Sequence, residues 1–169
     1  MMRKYIFTIF ATLLFALSCK VSYQFNGASI DYSVTKTINI NDFQNQAQLV
    51  YAPLTQVFNE RMKDVYTRNT KLNFTSVNPD LEIEGEVTRY DLTPLAVRED
   101  ALASQTRLTM SVRMRYKNNK NPQEDKEEVF TAYRDFDSSN MLTDVQDELV
   151  KQLTEDIVDQ IFNSTMSNW

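Results

Sequence analysis

The chain has 169 residues, no histidine, two glycines, four prolines, one cysteine and a formal net charge of −5. Those counts exclude an imidazole base, a His-based or Cys-cluster metal site and an internal disulfide, and the two isolated glycines, Gly27 and Gly85, cannot build a phosphate-cradling loop. At 42% hydrophobic and 24% charged residues the chain can bury one core, and its acidic balance argues against a nucleic-acid partner.

Residues 1–18 read as a secretory leader. Arg3 and Lys4 form a basic head, and Tyr5 to Leu17 is an apolar run too short to span a bilayer core, which takes about 20 residues. The only cysteine, Cys19, follows directly. Ala16-Leu17-Ser18-Cys19 resembles the lipobox of bacterial lipoproteins, in which the cysteine sulfur receives a diacylglycerol. It departs from the usual pattern in having Ala16 where leucine normally stands. Cys19 is therefore the expected lipidation site, and acyl chains on it would hold the chain at a membrane. Residues 19–29 read as a tether. Lys20 to Gln24 contains no acidic residue, which favours the periplasmic side of the outer membrane.

One domain is expected over residues 30–169. Ile30 to Ile40 carries β-branched residues in alternation and predicts a strand. Pro53 suits a first helical turn, and Leu54, Val57, Phe58, Met62, Val65 and Tyr66 recur at helical spacing up to Asn69. Leu72 to Val77 predicts a short strand, and Asn78-Pro79-Asp80 a turn. Leu81 to Asp91 predicts a strand with Leu81, Ile83, Gly85 and Val87 on one side and Glu82, Glu84, Glu86 and Thr88 on the other. Thr93-Pro94 is read as an interruption and 95–104 as a loop. Thr106 to Lys117 has the clearest alternation. Asn118 to Glu128 reads as a hairpin loop and Val129 to Phe136 as the returning strand. A helix from Leu142 to Phe162 closes the order, with Leu142, Val145, Leu149, Leu153, Ile157, Ile161 and Phe162 as its apolar stripe. Thr143 with Gln146 has capping-box spacing, and Ser138 and Ser139 are alternative caps. Trp169 follows the helix, to pack on the core or to meet a partner. The expected fold is α+β: a two-layer sandwich of a mixed or antiparallel sheet of four to five strands with two helices on one face, leaving the other sheet face polar.

The charged strand faces admit two readings. Arg107, Arg113, Arg115 and Lys117 could form a cationic stripe for the phosphates or sugar acids of a lipid, since Arg binds such anions bidentately. Or they could pair across strands with Glu82, Glu84 and Glu86 on a solvated sheet face. Carboxylates are plentiful, but no spacing singles out a catalytic pair. A lipoprotein binding a small ligand or glycan remains the alternative, and it predicts an enclosed apolar pocket beside the sheet.

From Phe25 to Trp169 the chain resembles the LPS-assembly lipoprotein family (LptE-like), in the form found in Bacteroidetes-type bacteria. The resemblance rests on the order of FNGASI at 25–30, FQNQAQLV at 43–50, DLEIEGEVTRYDLTPLAV at 80–97, RLTMSVRMRYKN at 107–118, DFDSS at 135–139 and DIVDQIFNSTMSNW at the end. It implies a non-enzymatic outer-membrane lipoprotein without a cofactor. That protein would be plug and assembly partner of an LPS-translocating β-barrel (LptD-like), with lipopolysaccharide as a candidate ligand. Of individual residues, the resemblance transfers only Cys19, as the lipidated one.

Overall fold

The computed structural model describes residues 30–95 and 105–166. The expected leader, Cys19, the tether, nearly all of the 95–104 loop, and Trp169 lie outside them.

The β-branched alternation before Ile40 does not make one strand. Asp31 accepts the Ser33 N–H at 2.9 Å and the Ser33 hydroxyl at 2.6 Å, and its carbonyl accepts the N–H groups of Val34 and Thr35. This local side-chain bonding turns the chain, so β1 is only Thr37–Ile40. A two-residue β2, Gln44–Asn45, follows without any periodic signal. Helix α1 runs Pro53–Asn69 with proline in its first turn, as expected, and buries Leu54, Phe58, Met62, Val65 and Tyr66. Its last carbonyls are met by Thr70, whose N–H and hydroxyl both reach the Tyr66 carbonyl, and by Asn69 Nδ2 on Val65.

β3 is Asn73–Phe74. β4 (Leu81–Pro94) and β5 (Gln105–Asn118) are antiparallel partners of 14 residues each. The expected break at Thr93-Pro94 does not occur. Thr93 and Pro94 stay in register with Arg107 and Thr106, and the Leu95 N–H resumes bonding to the Gln105 carbonyl. A 3-10 turn at Pro122–Glu124 leads into β6, Lys126–Asp137, which starts three residues before the expected strand. Helix α2 runs Leu142–Met166, a turn longer than expected. Its expected capping box does not form: Gln146 Nε2 donates to the Tyr90 hydroxyl at 2.8 Å, the Thr143 hydroxyl goes to Asp144, and Ser138 meets Thr106.

The sheet has six strands rather than four to five. Its order is β3-β1-β4-β5-β6, with β2 beside β4; β1 and β2 run parallel to β4, and β5 and β6 alternate antiparallel. Both helices cover one face. Leu108, Met110, Val112 and Met114 of β5 are fully buried there, with Ile38, Ile83 and Val87. They pack among Phe58, Met62, Leu153, Ile157 and Ile161 of the helices. Phe43 lies 5.1 Å from Phe58 and Tyr66 the same distance from Phe162, centre to centre, in tilted and edge-on geometries.

Candidate functional site

The sheet face turned away from the helices holds every cation the sequence singles out, because strand periodicity puts alternate residues there. A bulge preserves that arrangement along β4. Val87 pairs with Val112 and Arg89 with Ser111, so Thr88 is the extra residue. Without it, Tyr90 would point outward and Arg89 into the core. With it, Tyr90 is 1% exposed and Arg89 and Asp91 join the open face, where they pair at 2.7 Å.

Register places Glu82, Glu84 and Glu86 directly opposite Lys117, Arg115 and Arg113. Glu86 is at the centre. Its side chain is only 8% exposed although it lies on the open face. Arg113 Nη1 reaches it at 3.1 Å, Arg115 Nη2 at 3.0 Å and Arg115 Nη1 at 3.3 Å. Arg115 also gives its Nε–H to Glu84 at 3.0 Å, and Arg113 Nε lies 3.5 Å from Glu127 on β6. The Glu86 hydrogen bonds first, and those of Glu84 second, raise the Arg115 pKa above its ordinary value.

Farther along, Arg107 makes a two-pronged contact with Asp135, at 2.7 and 2.9 Å, and its guanidinium lies 3.8 Å from the Tyr133 ring centre. That contact holds the Asp135 carboxyl below its usual range. Lys117 is exposed at the rim; Glu82 opposite it accepts from Asn119 Nδ2 at 2.6 Å. The structure thus brings Arg113 and Arg115 together around one carboxylate, sets Arg107 apart in its own pair, and leaves Lys117 outermost. Sequence reasoning missed Glu127 and Asp135 as partners, since both come from β6.

A second polar cluster sits at the strand ends. The Asp80 carboxylate accepts the N–H of Lys36 at 2.8 Å and of Thr37 at 3.0 Å, and meets Lys120 Nζ at 3.0 Å. The Lys36 N–H first, then Lys120, hold its pKa down at about 2. Asp80 thereby ties the start of β1 and the β5–β6 hairpin to the start of β4.

Beside it a cleft of about 240 Å³ is lined partly by Ile30, Val34, Tyr116 and Met166 and partly by Asp31, Asn118, Lys120 and Glu124. Its lining is mixed rather than apolar, and it lies at the strand ends rather than beside the sheet. Among the described residues no group of acidic, Cys or His side chains is arranged to hold a metal ion, and no helix is long and apolar enough to cross a membrane.

The lipopolysaccharide-assembly model LptE matches residues 35–165, most of the chain and all six strands. The chain belongs to the LptE family. Solved structures similar to this LptE-family chain include a minor lipoprotein from Acinetobacter baumannii, at 16% identity and TM-score 0.51, covering 78% of this chain and 94% of that one. Rare lipoprotein B from Shewanella oneidensis is 14% identical with TM-score 0.51, over 76% and 92%. An uncharacterized lipoprotein B from Nitrosomonas europaea is 16% identical with TM-score 0.53, over 78% and 83%. At these identities the likeness is one of fold: the same α+β arrangement of an open mixed sheet and two helices. A comparison with curated proteins gives no match.

Proposed function

We propose that this LptE-family chain is a non-enzymatic, lipid-anchored outer-membrane protein that serves as plug and assembly partner of the LPS-translocating β-barrel (LptD-like). One observation carries the reading: the helix-free sheet face is broad, polar and internally charge-paired. A barrel lumen that passes a lipid is itself polar and water-facing. A surface seated in it needs hydrogen bonds and matched charge more than apolar area. Glu84, Glu86, Arg113, Arg115, Glu127, Arg107 and Asp135 provide such a surface on a rigid sheet.

In this reading Cys19 carries the lipid, two or more acyl chains hold the protein at the bilayer, and residues 19–29 let the domain face the periplasm or the barrel lumen. Lipopolysaccharide is the proposed ligand of Arg107, Arg113, Arg115 and Lys117. The side chains of the three arginines are 34–43% exposed even while paired, so a phosphate could share them.

Purification of the tagged full-length chain from its own envelope after gentle solubilisation tests the partnership. A large outer-membrane barrel protein should be recovered with it, and a chain that returns alone contradicts the proposal. Arg113→Glu with Arg115→Glu tests the face itself. Barrel recovery or lipopolysaccharide pull-down should fall at least tenfold with the circular dichroism spectrum retained. Wild-type levels of both would remove these arginines from the function.

A further inference from the structure

We propose that Trp169, the only tryptophan of the chain, seats its indole ring in the cleft at the strand ends and latches the first residues of the domain to the end of α2. Helix α2 ends at Met166, and Thr165 and Met166 themselves line that cleft. Trp169 comes three residues later, an extended reach of about 10 Å. The intervening Ser167-Asn168 suits a reversal of the chain. Asparagine, like glycine, takes the left-handed conformation in which many helices end.

The cleft suits this ring in size and in lining. Its volume is about 240 Å³, and a cavity of about 150 Å³ holds a single benzene ring. Ile30, Val34, Leu81, Tyr116 and Met166 give it an apolar wall. Val34 is 53% exposed although it lines the same cleft as the buried Leu81 and Met166, and a ring laid across it removes that exposure. An indole is apolar over most of its surface but carries one N–H, which needs an acceptor once it is covered. Asp31, at the cleft, provides one. Its Oδ1 accepts from Ser33, and its Oδ2 has no partner among the described residues. The mixed lining that disfavours a purely apolar ligand is thus the lining that suits a tryptophan. Three segments meet at this cleft: the entry of the domain from Ile30 to Thr35, the start of β4 at Leu81 and the end of α2. One ring covers the seam between them. In the reading of Cys19 as the lipid anchor, the latch fixes the point at which the tether leaves the domain.

Because the tryptophan is single, its own fluorescence tests the latch, without reference to the barrel. Emission from the purified full-length chain in detergent should be blue-shifted from that of the urea-unfolded chain and quenched several-fold less steeply by acrylamide. Emission and quenching equal to those of the unfolded chain overturn the proposal. Val34→Glu, at a half-exposed position, should shift the emission to the red and raise the quenching with the circular dichroism spectrum unchanged. Val50→Glu should do neither: it is next to Tyr51, whose hydroxyl donates to Asp147 near the start of α2, at the other end of that helix. A blue shift that survives Val34→Glu places the ring elsewhere, the micelle included, and the proposal falls. Trp169→Ala should speed hydrogen exchange several-fold at the N–H groups of Val34 and Thr35, which both bond the Asp31 carbonyl, and Trp169→Phe should speed it less. Unchanged exchange in Trp169→Ala means that the entry segment is not latched, and it equally overturns the proposal.

Discussion

Glu86 is the carboxylate on which the open face is organised, and neutralising it should cost measurable stability. Glu86→Gln keeps the side-chain shape and one carbonyl acceptor but removes the charge facing Arg113 and Arg115. Three guanidinium contacts at 3.0–3.3 Å are weakened at once. Hydrogen bonds to charged groups contribute about 1.5–3 kcal/mol each, but the two arginines are 40–43% exposed and regain water when released, which discounts the sum strongly. A net loss of about 2 kcal/mol follows, or roughly 4–8 °C in Tm for a domain of this size.

Removing both arginines (Arg113→Ala with Arg115→Ala) should cost more, about 3 kcal/mol, since it strands a carboxylate whose side chain is 8% exposed. In that background Glu86→Gln should cost nothing or stabilise. Urea unfolding followed by circular dichroism on all four combinations measures the coupling. If Glu86→Gln costs the same with and without the arginines, the pairing does not hold this face together and the reasoning fails.

Gly85 lies beneath Phe43, where an added Cβ would come within 2.2 Å of the Arg113 carbonyl oxygen and 2.4 Å of the Phe43 ring. Because one of those atoms belongs to the β4–β5 ladder, Gly85→Ala should destabilise by about 2–4 kcal/mol, read by the same urea titration. Thr154 is 1% exposed between the helices and its hydroxyl has no partner among the described residues, so Thr154→Val should raise stability by about 1 kcal/mol. Asp80, at about 2 against the usual 3.8, contributes stability that is fully present above the usual value and lost as pH falls toward 2. Asp80→Asn should be less stable near neutral pH and show a shallower loss across that acid window than the unsubstituted chain, by thermal melts at stepped pH.

The parts of the fold legible in sequence are those where one period dominates. From Arg107 to Lys117 β5 alternates apolar with polar or cationic residues, so its two faces could be assigned before any neighbour was known. α1 has proline at its start and a six-residue apolar face, five of them buried, and its bounds follow. The failures have local causes. At Asp31 a short side chain outcompetes the β-branched pattern that follows it. At Thr88 the bulge changes which parity faces the core, and nothing in a single strand's alternation announces an extra residue. Gln146 has a capping-box position but is drawn to the Tyr90 hydroxyl, 56 residues away in sequence. The candidate site was half legible. Facing rows of Glu and Arg suggested cross-strand pairs, but the burial of Glu86 and the reach of Arg107 to Asp135 depend on which strands are neighbours. That is a property of the whole sheet.

The central claim is that the open sheet face seats against an outer-membrane barrel, and crosslinking in intact cells tests it most directly. A photo-reactive residue placed at Arg89, exposed on that face, should give a single adduct with a large outer-membrane β-barrel protein, while one at Gln56 on the solvent side of α1 should give far less. Adducts from Arg89 with no outer-membrane protein, or equal barrel adducts from both positions, would contradict it.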